Sequence, residues 1–345
     1  MPTAPAPGRL GASRGSVALG MLILYAVWGS TYLGISIAVE TLPPFLMAAF
    51  RFGIAGAIMF GWVALRRGRP GLRMSRREVR DAGIVGALLL GGGMGAVAWA
   101  SQTVPSGIIA LVVATMPMWV AMLGALLLGQ RQPALAIIGV IVGFAGIALL
   151  IAPTIAGGEG ALDPAGLLLA LLSPISWALG SLFASHRATL PKDPIMNTAT
   201  QMAIGTVALV VLGAIDGEFA TLPGAVYSTE SIIALVYLTI IGSLLAFTTY
   251  GWLLRVAPLP LVITYAYVNP IVAVILGAIV RDEVVDARTI AAAAIIVGAV
   301  ALIVTARGRM QAPRAVATTA GPTVSPPPGP SGTPAEPTPS RSASG

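Results

Sequence analysis

The sequence predicts an all-α polytopic membrane protein with about ten transmembrane helices in two inverted five-helix repeats. Three observations carry that prediction. Of 345 residues, 56% are apolar and 10% charged, and the mean hydropathy is +0.89, whereas soluble domains charge roughly a quarter of their residues. Uncharged apolar runs long enough to cross a ~30 Å hydrocarbon core recur along almost the whole chain, and the alternating, roughly 10-residue strands of a β-barrel are missing. The chain also repeats itself: residues 99–130, moved forward by 153 positions, land on 252–283. Trp99 then meets Trp252, Pro105 meets Pro258, Pro117 meets Pro270, Leu123-Gly124-Ala125 meets Leu276-Gly277-Ala278, and Gln130 falls on Glu283. A weaker echo pairs Trp28 with Trp177. Leu, Gly and Ala matches arise by chance in so apolar a chain, so the Trp and the two Pro matches carry the weight.

Taken in order, residues 1–16 form a short basic lead rich in Pro, Gly and Ala. The first apolar run follows Arg9 and Arg14, as in a signal peptide. It is too long for an h-region and lacks a small-residue cleavage site, so it is expected to be retained. The first repeat, 17–152, holds spans at 17–39, 44–65, 82–101, 106–128 and 134–152. The second, 165–306, holds 165–185, 197–215, 231–253, 259–280 and 288–306. Residues 307–345 are Pro, Ser, Thr, Ala and Gly with little to bury, which predicts a disordered cytoplasmic tail.

Charge tests the count. With the N-terminus in the cytoplasm and the spans alternating, one inner loop takes Arg66, Arg67, Arg69, Arg73, Arg76, Arg77 and Arg80. The inside also takes Arg131, Arg187 with Lys192, Arg255 and both basic termini. The outer loops hold Glu159 with Asp163, and Asp216 with Glu218; only Arg281 and Arg288, amid three acids, depart from the pattern. This positive-inside distribution predicts a multi-pass membrane protein with both termini cytoplasmic, and the single-Lys, Arg-rich, Ala/Gly-rich usage points to a bacterium and hence to its cytoplasmic membrane. The repeat shift spans an odd number of helices, so the second half is inverted relative to the first. That is the plan of secondary transporters, with a substrate site near the midplane between the halves.

Other classes fit poorly. The net charge of +7 flanks membrane spans, so it reads as a topology signal and no nucleic-acid partner is expected. There is no Cys, and the single Lys192 ends no Walker-type loop. Gly91-Gly92-Gly93 lies inside an apolar span and reads as a close-packing face. His186, the sole histidine, falls in a predicted cytoplasmic loop, and no span pairs carboxylates or Ser with His. No enzyme activity, catalytic residue, metal or cofactor is therefore expected; the expected partners are the lipid bilayer and a small-molecule substrate.

Several residues are candidates for the transport path. Arg51 is the one charge well inside a span, where a guanidinium costs several kcal/mol unless paired or hydrated. It reads either as a counter-charge for an anionic substrate group or as a structural ion pair, with Glu40 the nearest acid. Trp28 and Trp177 fall near mid-span, and Tyr265 and Asn269 are spaced i, i+4 on one stripe. These four and Trp99, which anchors the repeat, are assigned with Arg51 to a central substrate cavity. Pro117 and Pro270 free backbone carbonyls at matched positions and are assigned as helix hinges. Gly139-x-x-x-Gly143 is a close-packing face that serves either the monomer or a homodimer. Glu283 reads as an end-of-helix residue making an interhelical hydrogen bond, with proton coupling the weaker alternative because its repeat mate Gln130 carries no titratable group.

The same residues resemble a known family, the bacterial EamA-type transporters of the drug/metabolite transporter superfamily. The likeness covers about residues 17–306. It is carried by Trp28-Gly29-Ser30-Thr31-Tyr32-Leu33-Gly34, by Arg51-Phe52, by the run through Pro117 to Gly129-Gln130, and by Tyr265 through Pro270 to Asp282-Glu283. The resemblance implies ten helices, inverted five-helix repeats, cytoplasmic termini, and export of amino acids or other small metabolites by alternating access. Two departures stand out: Gln130 where the family commonly has Glu, and Ala178-Leu179 interrupting the Trp-Gly echo. A multidrug efflux carrier is the second reading, and a non-transporting membrane scaffold or sensor is the alternative of another class.

Overall fold

The structure, a computed structural model, describes residues 13–157 and 161–311. Ten helices follow one another: α1 (Arg14–Ala38), α2 (Pro44–Gly68), α3 (Arg76–Ala100), α4 (Ser106–Leu128), α5 (Ala134–Ala156), α6 (Pro164–His186), α7 (Pro194–Ile215), α8 (Thr229–Val256), α9 (Tyr265–Arg281) and α10 (Ala287–Gln311). All but α9 are long and apolar enough to cross a bilayer alone; α9 has 17 residues and is preceded by a single turn, Leu259–Val262. The first helix begins ahead of its expected start at 17, and α10 continues past its expected end at 306 to Gln311. The rest of the predicted lead and tail, and Glu159 of the predicted outer loop, lie outside the described residues.

Local chemistry sets most helix starts. Ser13, Asp163, Asp193 and Ser228 cap α1, α6, α7 and α8 by accepting a backbone N–H within their own first turns, and Ser75 with Glu78 forms a capping box on α3. Pro43-Pro44 opens α2 and Pro105 precedes α4, and neither brings a capping oxygen. Their first amides are met from elsewhere in the chain. Phe45 N and Leu46 N donate to the two carboxylate oxygens of Glu218, each at 2.8 Å. Ser106 N and Gly107 N donate to Glu283 at 2.8 and 3.0 Å.

Taking the end where α1 starts as near and the other as far, the polar tertiary contacts join like ends. Arg281 pairs with Glu40, and Thr103 Oγ1 donates to Asp163 at 3.1 Å, all at the far end. Arg67 pairs with Asp193, Gln130 meets His186 at 2.8 Å, and Thr189 N donates to Asp81 at 2.8 Å, all at the near end. Each helix therefore crosses once and the directions alternate.

The packing shows the inversion. α1 packs on α8 and α9, while α6 packs on α3 and α4, the corresponding helices of the other repeat. α2 packs most extensively along its own counterpart α7, and the far half of α4 packs on its counterpart α9. The result is two trios, α1/α8/α9 and α6/α3/α4, related by the inverted repeat and bridged by the α2–α7 pair. α3 and α8 share a further feature, wider π-helical turns over Ala87–Gly95 and Leu238–Leu245.

Glycines permit the closest crossings. A Cβ on Gly92 or Gly93 would meet Ser176 or Trp177 of α6. On α5, Gly139 faces Ile303 and the Ala299 carbonyl of α10, and Gly143 faces Met118 and Ala299, so this small-residue face is used within the monomer. Gly86 is the tightest crossing onto backbone: a Cβ there would lie 2.8 Å from the Cα of Gln201 in α7. Backbone cannot yield as a flexible side chain can. Gly86→Ala is therefore expected to lower the thermal unfolding midpoint in detergent, at a cost of about 1–3 kcal/mol from overpacking. Gly298→Ala, with nothing within 4 Å of the new methyl, should leave the midpoint equal or higher, since Ala favours a helix over Gly.

A candidate central cavity

Between the two trios lies a cavity of about 160 Å³, walled by α1, α2, α3, α4, α6, α8 and α9. Its lining is largely apolar: Leu90, Met94 and Val97 from α3, Ala110 and Val113 from α4, Phe247 from α8. Leu90 and Met94 stand on the π-helical turns of α3.

α4 is interrupted beside the cavity. Its helix runs to Ala114 and resumes at Met116. At Thr115 the amide makes a tighter turn onto Val112 O at 3.1 Å, and the hydroxyl donates to the same carbonyl at 2.6 Å. Pro117 has no N–H, so Val113 O loses its helical donor. Pro270 deprives Ala266 O in the same way, and both Val113 and Ala266 line the cavity. The second repeat differs in one respect: α9 is continuous through Pro270, and its interruption falls earlier, at Ile263-Thr264. Of the two predicted hinges, then, Pro117 adjoins a break in its helix and Pro270 sits inside one.

The polar groups of the wall are few. Arg51 is 4% exposed, and its Nε donates to Ser243 Oγ at 2.9 Å, on the π-helical stretch of α8. Among the described residues no carboxylate lies within ion-pair distance of it, and Glu40, the candidate partner from sequence, pairs with Arg281 instead. Its Nη groups have no acceptor among the described residues. Ser173 and Asn269 also line the cavity, are 0% and 7% exposed, and have Ser173 Oγ and Asn269 Oδ1 without a hydrogen-bond partner. The guanidinium also lies over the Phe52 ring, its Cζ 4.8 Å from the centroid, but a buried charge without a counter-ion and unpaired polar atoms in apolar walls are costly for the empty protein. A small molecule with an anionic group and further hydrogen-bonding groups matches what they lack.

Aromatic rings close the α1/α8/α9 side. Trp28 packs on Tyr265 with centroids 4.8 Å apart, on Tyr250 at 5.2 Å and on Phe247 at 5.7 Å. Trp177 of α6 lines the opposite wall. The structure thus brings Trp28, Arg51, Trp177, Tyr265, Asn269, Pro117 and Pro270 to one cavity, and excludes Trp99. That indole stands on the last turn of α3 at the far end, where Nε1 donates to Asp216 at 3.3 Å. Its repeat match marks corresponding helix ends, and a helix end lies away from the midplane. Sequence reasoning missed Ser243, Met94 and Phe247. Ser243 left one signal, a hydroxyl within an uncharged apolar run, but the π-helical turn that presents it leaves none.

The chain matches the model of the EamA-like transporter family twice, over residues 15–152 and 164–305. It is 38% identical over 285 residues to the uncharacterized inner membrane transporter YedA of Escherichia coli (strain K12), covering 82% of this chain and 89% of that relative. It is 25% identical over 291 residues to a probable amino-acid metabolite efflux pump of the same strain, covering 76% of this chain and 86% of that one. One crystal structure superposes with a TM-score of 0.57 at 24% identity, covering 87% of this chain and 100% of its own; that likeness concerns the fold.

Unpaired polar atoms give the cavity a distinctive stability signature. Ser173→Ala and Asn269→Leu are expected to keep or raise the thermal midpoint of the detergent-solubilised protein, because each removes a buried group without a partner. Loss of stability in both would show that these side chains hold the fold together.

Proposed function

This chain belongs to the EamA-like transporter family, and we propose that it exports a small carboxylated metabolite such as an amino acid across the cytoplasmic membrane. The family is named as one of transporters, and the two relatives described above are named as a transporter and a probable efflux pump. Under this reading the near end faces the cytoplasm, in keeping with the arginines between α2 and α3. The two trios rock about the α2–α7 pair, so that the cavity opens to one side of the membrane at a time.

Arg51 is the observation that carries the substrate class. A guanidinium held through Nε by Ser243 keeps its Nη pair free for a carboxylate. With apolar walls on most sides, the attraction is strong and weakly screened. A bulky cation would meet the same charge with repulsion, which disfavours the multidrug reading. The aromatic walls at Trp28, Tyr265 and Trp177 then take the apolar or cationic remainder of the substrate.

Flux in proteoliposomes tests this. Labelled amino acids and small carboxylates, each beside its carboxyl-amide analogue, are followed with and without a pH gradient. Saturable flux of a carboxylate, with its amide moved poorly, is the expected result. Arg51→Gln should reduce that flux at least about tenfold, the effect of losing about 1.4 kcal/mol of a charge-assisted interaction, and Trp177→Ala should weaken it too. Equal transport of acid and amide would remove Arg51 from substrate recognition.

A further inference from the structure

The two trios are separate bodies apart from apolar packing and one polar link. Among the described residues, the only hydrogen bonds that cross from α1/α8/α9 to α6/α3/α4 are those from Ser106 N and Gly107 N to Glu283, which directly follows α9. The link sits at the far end. There α4 and α9 approach so closely that a Cβ on Gly107 would lie 3.1 Å from the Cα of Val274, and one on Gly277 would collide with the Glu283 carboxylate. Beyond the interruption at Thr115 the near half of α4 leaves α9 and packs on α6 and α5. The trios are thus tied at the far end and diverge toward the near end.

The inverted repeat supplies a counterpart. α9 ends on Asp282 in the left-handed conformation (φ 51°), with Glu283 N donating to Gly277 O at 3.2 Å. α4 ends on Gly129 likewise (φ 63°), with Gln130 N donating to Gly124 O at 3.1 Å. The Gln130 side chain lies over Gly124, its Oε1 2.7 Å from where a Cβ would be, just as Glu283 lies over Gly277. The 153-residue shift carries Ser106-Gly107 onto Leu259-Pro260, at the start of the turn before α9. In this structure Gln130 meets His186 of its own trio instead.

From these matched ends we propose that Glu283 is the latch of the far gate and Gln130 its weaker counterpart at the near gate. When the far gate opens, Ser106 and Gly107 lose their acceptor to water, and when the near gate closes, Gln130 leaves His186 for the start of the Leu259–Val262 turn. The near latch is weaker on two counts. Its acceptor is a neutral amide instead of a carboxylate, and Pro260 offers no N–H where Gly107 offers one. The state closed at the far end is therefore favoured in the empty carrier. This proposal rests on the alternating-access reading above.

The chain has no Cys, so a single cysteine reports gate opening cleanly. Met94→Cys, on the cavity wall, is labelled with a membrane-impermeant charged maleimide in right-side-out and in inside-out vesicles without substrate. With Glu283 intact, labelling should run from the near face. Glu283→Gln should raise far-face labelling about tenfold, the response to about 1.4 kcal/mol of lost latch. Gly277→Ala, which pushes the carboxylate aside and keeps its charge, should act in the same direction. Gln130→Glu should raise far-face and lower near-face labelling by strengthening the opposite latch. Unchanged labelling in all three would overturn the proposal, even in a protein that transports. Labelling that responds as stated in a protein that moves no solute would uphold the latch and refute the transport reading.

Discussion

A chain embedded in hydrocarbon has no water to satisfy its backbone, so every amide and carbonyl must find its partner inside the protein. In this molecule the demand is met from a distance at α2 and α4, which, like α5, begin at prolines and have no capping side chain of their own. Carboxylates from distant loops supply the caps, Glu218 for α2 and Glu283 for α4. Both also oppose charge to the positive end of a helix dipole. Burial pushes the Glu218 carboxyl above the usual carboxylate range, against the pull of the Phe45 and Leu46 amides. A cap supplied from across the fold ties two helices together while it satisfies one of them, so the same bonds that complete the secondary structure also fix the tertiary arrangement. At Glu218 the tie reinforces the extensive α2–α7 contact. At Glu283 it spans two bodies that have no other hydrogen bond between them among the described residues.

The cavity gathers several exceptions to this rule. Among the described residues Arg51 is buried without a counter-ion and Ser173 Oγ and Asn269 Oδ1 are buried without partners, while the prolines at 117 and 270 leave carbonyls without their i+4 helical donors. Departures from local consistency are common where function resides, and these surround one space, although others, such as Trp119 Nε1 and Gln132 Oε1, lie away from it. The π-helical turns of α3 and α8 belong to the same set. They place Leu90 and Met94 on the wall and bring Ser243 to Arg51.

Much of this was legible in the residues. Apolar runs and the distribution of arginines marked ten crossings, because length and charge act locally and repeat along the chain. The Trp and Pro matches at one offset revealed the inversion, since five helices reverse direction. Trp28, Arg51, Trp177, Tyr265 and Asn269 stood out as polar or aromatic groups at mid-span depth, and the structure gathers them around one cavity. Trp99 was misplaced because a repeat match reports correspondence between halves, and corresponding helix ends lie at opposite faces of the membrane. What sequence could not carry was anything set by a neighbour's geometry: the π-helical turns, the hydrogen bond from Arg51 to Ser243, the caps supplied by Glu218 and Glu283, and the partner of the Gly139–Gly143 face. Spacing along one helix is silent on which other helix comes to meet it.

An inverted repeat built from identical halves would make the two end states of a carrier mirror images of equal energy. Any preference between them must then come from places where the halves differ. Among the differences are those at the proposed gates and hinges. Glu283 stands opposite Gln130, Gly107 opposite Pro260, and the break in α4 adjoins Pro117 while that near α9 falls ahead of Pro270. The first of these differences takes a charged acceptor from the near end and the second takes an N–H donor. On the export reading proposed above, which sets the near end toward the cytoplasm, the same asymmetry would leave the empty cavity presented to the side on which an exporter loads. Divergence between the repeats at a few terminal residues is then enough to set the resting direction of a carrier whose architecture has none of its own.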